Sequence, residues 1–307
     1  MRINPISKSP EYIGFAKLAQ FFGFLSARLG AVAHRFNFMR YQMEFGQRDD
    51  DICLVTFPKS GTTMMQVILF QLCTNGTGSM DFDHIYDVSP WISNDAFRGR
   101  PPRVLPSPRI IKSHDPYGRF DKRTKGRSIY VYRDGMDVAV SLYHQNKNYN
   151  KPDLAFDDFF ARFVSQKKGS WFYHLKEWFT NRHRFPILWL RYEDLLADKR
   201  GEIGKIVDFL GLEVSEEAIE KALEYSSFDY MKAHETKFGV QPPDLSERVF
   251  DQFMRNGKAG EGESILSPDQ KREFTSKQRR IFGRLSKSFG LDGEERNVET
   301  LTGSTEQ

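Results

Sequence analysis

The stretch that decides the fold is DICLVTFPKSGTTMMQVILFQL, residues 51–72. It opens with the apolar run Ile52–Val55, which predicts a strand buried on both faces of a parallel sheet. Pro58 and Gly61 then interrupt the pattern, and the apolar residues 64–72 predict a helix. The segment therefore predicts a strand, a tight loop and a helix in direct succession.

The loop between this strand and helix has the chemistry of an anion site. Backbone N–H groups and the positive end of the helix dipole converge at such a loop, and Lys59 adds an ammonium group. Ser60, Thr62 and Thr63 add hydroxyl groups. Because Lys59 precedes the only glycine, Gly61, the loop does not match a Walker A motif, whose lysine follows the second glycine. The loop suits phosphate or sulfate, and the alternative is an ordinary turn with a surface lysine.

Composition and charge describe one globular chain without an extended basic surface. The 307 residues are 39% hydrophobic and include 27 Phe, which is enough for a large core and excludes general disorder. Lys and Arg number 45 against 41 Asp and Glu, spread along the chain, so we expect no nucleic-acid partner. Cys53 and Cys73 match no disulfide framework or zinc pattern, which fits a reducing, cytoplasmic setting.

The domain organisation follows from the absence of a break in composition. We expect one domain over residues 1–291 and a flexible tail over residues 292–307. An apolar series at near-helical spacing predicts an amphipathic helix within residues 11–45. Its members are Phe15, Leu18, Ala19, Phe22, Leu25, Leu29 and Val32. Lys17 and Arg28 leave the uncharged run too short to span a bilayer. We expect residues 1–50 to pack on or beside the domain, the alternative being an interfacial membrane helix.

Further apolar runs predict strands whose carboxyl ends carry polar residues. They cover residues 109–114, 128–132 and 186–190. Lys112, His114, Arg133 and Tyr192 stand at or just beyond those ends. Ligands bind beyond the carboxyl ends of strands in open parallel sheets, so these side chains should face the same crevice as Lys59. Because strands alternate with helices, the predicted fold is an α/β three-layer sandwich with a central parallel sheet.

Two of these residues have both a functional and a structural interpretation. His114 is a candidate general base at a strand end, or a solvated loop residue. Arg133 offers a planar fork for phosphate, or it pairs with Asp134 or Asp137. In the helix that follows, Ser141 lies one turn beyond Asp137 and adds a hydroxyl if that face opens to the crevice.

Short motifs along the chain resemble those of the cytosolic-type PAPS-dependent sulfotransferases. They are TFPKSGTT at residues 56–63, KSH at 112–114, YRD at 132–134, DVAVS at 137–141, YED at 192–194 and RNG at 255–257. They occur in the order seen in that family, over residues 51–265. The resemblance implies a P-loop-like phosphosulfate-binding loop. It also implies transfer of a sulfuryl group from 3′-phosphoadenosine 5′-phosphosulfate (PAPS) to a hydroxyl or amine, with the bisphosphate PAP as product.

The resemblance also implies a role for each matching residue. The 5′-phosphosulfate would be held by Lys59, Ser60, Gly61, Thr62 and Thr63. The 3′-phosphate would be held by Arg133, Ser141, Arg255 and Gly257. The adenosine would lie among Tyr192, Ser227 and Phe228. His114 would be the general base, Lys59 would neutralise the leaving phosphate oxygen, and Lys112 would assist.

Three features depart from the family pattern. Met64 stands where the family commonly has a tryptophan that packs on adenine. Asn256 stands where a lysine is usual, which removes one charge from the phosphate site. The dimerisation motif near the last helix is not matched within residues 263–272, so we expect a monomer or a dimer formed through another surface.

The acceptor is expected to be a small molecule, because apolar walls are supplied by two stretches without periodicity. They are residues 85–106, with Trp91 and Phe97, and residues 238–250, with Phe238 and Phe250. A hydrophobic alcohol, phenol or amine is the expected acceptor, and a lipid or glycan is the alternative. No carboxylate cluster with metal spacing accompanies the loop, so we expect no metal. The alternative functions are a catalytically silent PAPS- or PAP-binding or membrane-peripheral protein, and a nucleotide kinase.

Overall fold

The chain forms two compact units. The structure, a computed structural model, describes residues 29–30, 32–33, 36–120, 126–149, 152–239, 253–283 and 285. The smaller unit comprises Met1–Gly46 and Ile92–Arg103, and the larger comprises Gln47–Trp91 and Val104–Gln307. The expected domain bounds of 1–291 stay a prediction, and the expected tail over residues 292–307 lies outside the described residues.

In the described part of the larger unit, a parallel sheet of four strands has the order β2-β1-β3-β4. The strands are β1 (Ile52–Thr56), β2 (Ile110–Ser113), β3 (Arg127–Tyr132) and β4 (Ile187–Arg191). Every neighbouring pair is parallel. The chain leaves β1 toward β2 on one side and later returns to β3 on the other, so the strand order reverses beside β1. Such a reversal is where open α/β sheets bind ligands.

Helices connect the strands and cover both faces of the sheet. They are α1 (Thr62–Cys73), α2 (Ile92–Phe97, in the smaller unit), α3 (Gly135–Tyr149), α4 (Phe156–Ser165), α5 (Trp171–Thr180), α6 (Tyr192–Ala197), α7 (Lys199–Leu210), α8 (Glu216–Tyr225), α9 (Phe228–Ala233), α10 (Glu261–Ile265) and α11 (Pro268–Phe282). The last of these begins with the predicted capping box: Ser267 Oγ accepts from the Gln270 amide at 3.3 Å, and Gln270 Oε1 accepts from the Ser267 amide at 2.9 Å.

Alternate residues of the strands face two separate hydrophobic cores. Val55 belongs to a core rich in aromatic rings, among them Trp178 of α5. Leu54, its neighbour on β1, belongs to an aliphatic core that includes Leu69 of α1. Both strand residues are fully buried, as expected for a strand covered on both sides. The predicted α/β sandwich with a central parallel sheet is therefore confirmed.

The smaller unit contains a helix over residues 36–45, and the described residues 29–30 and 32–33 before it are also helical. Its buried side chains are Tyr41 and Phe45, which are 2% and 9% exposed. Leu29 and Val32 are instead 60% and 52% exposed. These two members of the predicted apolar series are therefore not buried, because the helix buries the face that carries Tyr41, and the expected packing of residues 1–50 on or beside the domain stays a prediction. The earlier members of the predicted series lie outside the described residues.

A buried ion pair joins the amino-terminal ends of β1 and β2. Arg109 donates from Nε to Asp51 Oδ1 and from Nη2 to Asp51 Oδ2, both at 2.7 Å. Each side chain is only 3% exposed. Asp51 Oδ2 also accepts from the Arg48 amide at 2.9 Å. The pair therefore ties the strand that leads into the Lys59 loop to the strand that leads to His114.

Removing one partner of this pair should strongly destabilise the protein. Asp51→Ala leaves the buried Arg109 guanidinium without its carboxylate, which costs about 3–5 kcal/mol in comparable buried pairs. Asp50→Ala, the same change at the exposed neighbouring residue, should cost less than about 1 kcal/mol. Urea unfolding of both variants measures the difference. Equal free energies of unfolding would contradict the role given to the pair.

Candidate functional site

A cavity of about 500 Å³ opens beyond the carboxyl ends of the strands. The sequence-predicted site residues that line it are Lys59, Gly61, Thr62, Thr63, Met64, Lys112, His114, Arg133, Ser141, Tyr192, Phe228, Arg255, Asn256 and Gly257. Two predicted residues, Ser60 and Ser227, are not among its lining residues. The structure thus gathers the predicted site into one space, although the role of each residue stays a prediction.

The loop after β1 has the conformation that its sequence predicts. Lys59 has φ 70° and Gly61 has φ 88°, so the chain turns through the left-handed region twice. A Cβ at Gly61 would come within 2.5 Å of the Tyr192 ring, so only glycine fits beneath that ring. Gly61 is the N-cap of α1, which has no side-chain cap and no acid in its first turn. Its first N–H groups have no partner within the helix and lie at the cavity wall.

Ser60 is fully buried beside this loop. Within the described part of the chain, its hydroxyl has no hydrogen-bond partner. Buried hydroxyls are seldom left unpaired, so Ser60 Oγ is available to a group that enters the loop. Its predicted contact with the phosphosulfate nevertheless stays a prediction.

Three cationic side chains lie near one another in the cavity wall. Burial and the nearby charges of Arg133 and Arg255 together lower the pKa of Lys59 to about 8. Lys59 Nζ also lies 5.1 Å from the centre of the Phe253 ring. Like charges raise one another's free energy when they are held together, and a bound anion would offset that repulsion. This part of the cavity is therefore built for a multiply charged anion.

Arg133 combines the two interpretations that its sequence position allows. Its Nη2 donates to Asp137 at 3.2 Å and to the Lys258 carbonyl at 3.0 Å, and its Nη1 donates to the Lys59 carbonyl at 3.2 Å. The guanidinium also lies 4.5 Å from the centre of the Tyr192 ring. The ion pair with Asp137 is therefore present, and it fixes Arg133 in the cavity wall.

Asp137 and Glu261 hold residues 255–262, here named the late segment, against this wall. Asp137 accepts from the Gly260 and Gly262 amides, both at 2.8 Å. Glu261 engages both terminal nitrogens of the Arg255 guanidinium, with the Nη1 contact at 2.6 Å. The fork of Arg255 that is predicted to bind the 3′-phosphate thus faces a carboxylate, which the sequence alone did not indicate.

Gly257 and Asn256 complete the late segment. Gly257 has φ 62°, and a Cβ there would come within 2.4 Å of the Phe228 ring, so the segment packs closely against α9. The Asn256 amide donates to the same Glu261 carboxylate that holds Arg255. Asn256, an uncharged residue where the family commonly has a lysine, therefore helps to hold the segment through its hydrogen bond to Glu261.

Two neighbouring serines, Ser226 and Ser227, differ from the prediction that Ser227 lies beside the adenosine. Ser227 Oγ accepts from the Tyr230 amide at 3.2 Å and so caps α9. Its neighbour Ser226 lines the cavity instead, and the Ser226 carbonyl accepts from Lys199 Nζ at 2.8 Å. Lys199 also lines the cavity and was missed, because a lysine that follows a strand by several residues carries no distinctive sequence signal.

His114 is held in one tautomer by the last residue of β1. Its Nδ1 lies 2.9 Å from the Thr56 carbonyl oxygen, which can only accept, so Nδ1 carries the proton. The lone pair is therefore on Nε2. Nδ1 is also 3.1 Å from Thr56 Oγ1, which in turn lies 2.6 Å from Thr62 Oγ1. His114 and the anion loop are thus connected through Thr56.

The charge state of His114 differs from the ordinary value assumed from sequence. Burial lowers its pKa well below 6.5, and the nearby Lys112 cation lowers it further. The imidazole is consequently neutral near pH 7 and able to accept a proton. Its ring meets Trp91 edge-on with centroids 5.1 Å apart, which fixes its plane.

Lys112 lies between the aromatic wall and the cations. Its Nζ donates to the Tyr86 hydroxyl at 2.8 Å and lies 4.7 Å and 4.6 Å from the Tyr86 and Trp91 ring centres. Burial lowers its pKa to about 7, with a further contribution from Lys59. Lys112 is therefore easier to deprotonate than an ordinary lysine.

The cavity also has apolar lining. Its members include Trp91, Met231 and Phe238, and Phe253 lines it beside Lys59. Met64, buried at 8% exposure, lines the cavity where the family commonly has a tryptophan. Phe97, a predicted wall residue, lies in the smaller unit and is 70% exposed, and Phe250 lies outside the described residues.

The described residues contain neither a candidate metal site nor a candidate membrane-spanning helix. Among the residues that the structure describes, no group of three or more His, Cys, Asp or Glu side chains could hold a metal ion. Within the same residues, no helix combines the length and the apolar character needed to cross a bilayer.

Comparison with known proteins gives consistent results. The family model for the sulfotransferase domain matches residues 49–287. Sulfotransferase 2B1 of Mus musculus is 35% identical over 244 residues, covering 75% of this chain and 70% of that protein. Sulfotransferase 1A1 of Canis lupus familiaris is 30% identical over 249 residues, covering 75% of this chain and 83% of that protein.

Solved structures share the fold. Retinol dehydratase in complex with androsterone and the inactive cofactor PAP superposes with a TM-score of 0.69 at 22% identity, over 82% of this chain and 85% of that one. Retinol dehydratase in complex with retinol and PAP superposes with a TM-score of 0.62 at 26% identity. The match covers 79% of this chain and 83% of that one. The solved structures show that the α/β fold is shared, and the family model and the named relatives define the chain as a group-transfer enzyme. The chain belongs to the PAPS-dependent sulfotransferase family, as its motifs indicated.

Because Lys59 has a lowered pKa, binding of a bisphosphate should depend on pH. Lys59 has a pKa of about 8 and Lys112 a pKa of about 7, so both are protonated at the acid end of the range and the affinity for PAP should fall as pH rises through these values. Above about pH 8 the contribution of Lys59 to the fall should approach about tenfold per pH unit. Lys59→Arg, which stays charged, should remove that contribution. Calorimetric titration with PAP between about pH 6.5 and 9.5 makes the measurement, and a flat wild-type profile would contradict the assignment.

Proposed function

We propose that the chain transfers the sulfuryl group of PAPS to a hydroxyl or amine of a small hydrophobic acceptor, with His114 as general base. The observation that carries this proposal is the arrangement of one cavity. Cations and helix N–H groups line one part of it, apolar side chains line another, and His114, whose Nε2 is unprotonated, is among the lining residues. Such an arrangement suits an anionic donor and an apolar acceptor that meet at a base.

The donor is proposed to occupy the cationic part of the cavity through both of its phosphate groups. The loop from Lys59 to Thr63 suits the phosphosulfate, because it combines an ammonium, hydroxyls and helix N–H groups. Arg133 and Arg255, with Ser141, suit the 3′-phosphate. Glu261 accompanies Arg255 there, so the 3′-phosphate must share the guanidinium with this carboxylate or displace it.

The protein's part in the reaction is positioning and proton transfer. PAPS supplies the sulfuryl group, which is transferred from a phosphate oxygen to the acceptor oxygen or nitrogen. The proton of the acceptor passes to His114 Nε2, and the neutral imidazole is available for it because its pKa is low. Lys59 neutralises the negative charge that grows on the phosphate oxygen as PAP leaves. Lys112, held between Tyr86 and Trp91, supports the same charge from the neighbouring strand.

The acceptor class follows from the wall around His114. Trp91, Met231 and Phe238 offer apolar surface, so a hydrophobic alcohol, phenol or amine is favoured over a glycan. Androsterone and retinol, which are in complex with the structurally similar retinol dehydratase, are apolar molecules that carry a hydroxyl group. We further propose a cytoplasmic protein that is a monomer or a dimer formed away from residues 263–272.

One alternative has support in the structure, namely a protein that binds PAP without turnover. Met64 and Asn256 replace residues common in the family, and Glu261 engages the Arg255 fork. Together these features weaken the expected nucleotide site. Binding of PAP without sulfuryl transfer to any acceptor would select this alternative.

If His114 is the base, its removal should affect catalysis and leave binding nearly unchanged. His114→Ala should lower kcat by about two to four orders of magnitude, the usual contribution of a general base, with little change in the Kd for PAP. His144→Ala, at another histidine that lines the cavity, is the matched control and should keep most of the rate. The wild-type rate should fall only well below pH 6.5, because burial lowers the pKa of His114.

Arg133 should distinguish nucleotides by their 3′-phosphate. Arg133→Ala should weaken PAP much more than adenosine 5′-phosphate, because only PAP has the group that the guanidinium is proposed to bind. Arg191→Ala is the control, since Arg191 is the last residue of the neighbouring strand β4 but pairs with Glu193 at 3.0 Å and does not line the cavity. Calorimetry with both nucleotides gives the ratio. Equal losses for the two nucleotides would refute the assignment.

A further inference from the structure

A row of large apolar side chains is exposed on the helix of the smaller unit. Five of the nine large exposed hydrophobic residues among the described residues lie on this one element. They are Leu29 at 60%, Val32 at 52%, Phe36 at 66%, Met39 at 48% and Met43 at 73% exposure. We name these five residues the apolar stripe. Scattered single exposures are ordinary, whereas a contiguous row marks an interaction surface.

The stripe is not the face that the helix buries in its own unit. Its members are separated alternately by three and four residues, which at 3.6 residues per turn places them within an arc of about 80°. Tyr41 and Phe45 are buried and lie on the opposite side of the helix by the same geometry. The helix therefore has one apolar face inside the unit and a second one outside it.

The sequence extends the same spacing toward the N-terminus. Phe15, Leu18, Phe22 and Leu25 precede Leu29 at the same alternation of three and four residues. These residues lie outside the described part of the chain, so the statement concerns their spacing in the sequence. The pattern is thus a sustained property of the sequence and is not confined to one turn.

The sequence that carries the stripe has an excess of positive charge. Residues 11–44 contain the basic residues Lys17, Arg28, Arg35 and Arg40 against the acidic residues Glu11 and Glu44. Arg40 is exposed, and its ion pair with the exposed Glu44 is long, at 3.8 Å. An apolar stripe with basic neighbours is typical of a helix that lies on a membrane surface.

We infer that the apolar stripe rests on an anionic lipid surface. A second copy of the same helix is the obvious alternative occupant, because the spacing matches a coiled-coil seam. A paired copy would, however, double the net positive charge of residues 11–44, and this excess of like charge would oppose pairing. An anionic bilayer attracts the same arginines while it receives the apolar side chains. The helix lies in the interface and does not span the bilayer.

Vesicle flotation of the full-length protein tests this inference. The protein should float with vesicles of phosphatidylcholine containing about one third phosphatidylserine, and much less with pure phosphatidylcholine or at high salt. Phe36→Glu should lower binding at least about tenfold, because it places a charge in the stripe. Asn37→Glu is the matched control, since it makes the same change of charge at the exposed neighbouring residue outside the stripe. It should retain most of the binding.

Several outcomes would overturn the inference. Absence of binding to anionic vesicles, or equal losses in Phe36→Glu and Asn37→Glu, would exclude a role for the stripe at a lipid surface. Light scattering that showed a dimer dissociated by Phe36→Glu would assign the stripe to a second copy. Phe36 is exposed, so its variant should unfold at the wild-type temperature, and a lowered midpoint would show the stripe to be a packing surface. Activity toward a water-soluble acceptor should not change in either variant.

Discussion

The gathering of three cationic side chains at the end of a parallel sheet is the constraint on which this site depends. Burial lowers the pKa of Lys59, and the nearby charges of Arg133 and Arg255 contribute to the shift. Two carboxylates hold the arginines in place: Asp137 beside Arg133 and Glu261 beside Arg255. The same carboxylates anchor the late segment, so the groups that balance the arginine charges also fix the backbone there. In the proposed function, a multiply charged nucleotide offsets the positive charge that remains.

Thr56 connects this electrostatic site to the proposed chemistry. As the last residue of β1, it contacts His114 through its carbonyl and contacts Thr62, in the first turn of α1, through its hydroxyl. The orientation of the His114 ring is therefore set by the register between β1 and β2, which the buried pair of Asp51 and Arg109 also supports. A small shift of either strand would move His114 and the anion loop together. This explains why the site is formed by strand ends and not by loops alone.

The local parts of this account could be predicted from sequence, and the long-range parts could not. The apolar run Ile52–Val55 and the loop at Lys59 are local signals, and both were found at the predicted positions. The sequence contains many acidic residues and does not indicate that Glu261 is the one that pairs with Arg255. The exposure of Leu29 depends on which of two apolar helix faces finds a partner. The low pKa of His114 depends on burial and on Lys112, and spacing reveals neither effect.

The central claim is that one cavity brings a PAPS donor and an apolar acceptor to the same histidine. The most direct measurement is incubation of the purified protein with sulfur-labelled PAPS and a panel of hydrophobic alcohols, phenols and amines, with the labelled product identified by mass. The account predicts that label appears on at least one apolar acceptor, that one PAP is released for each product, and that polar sugars remain unlabelled. Binding of PAP with no labelled product across the whole panel, or labelling confined to glycans, would contradict it.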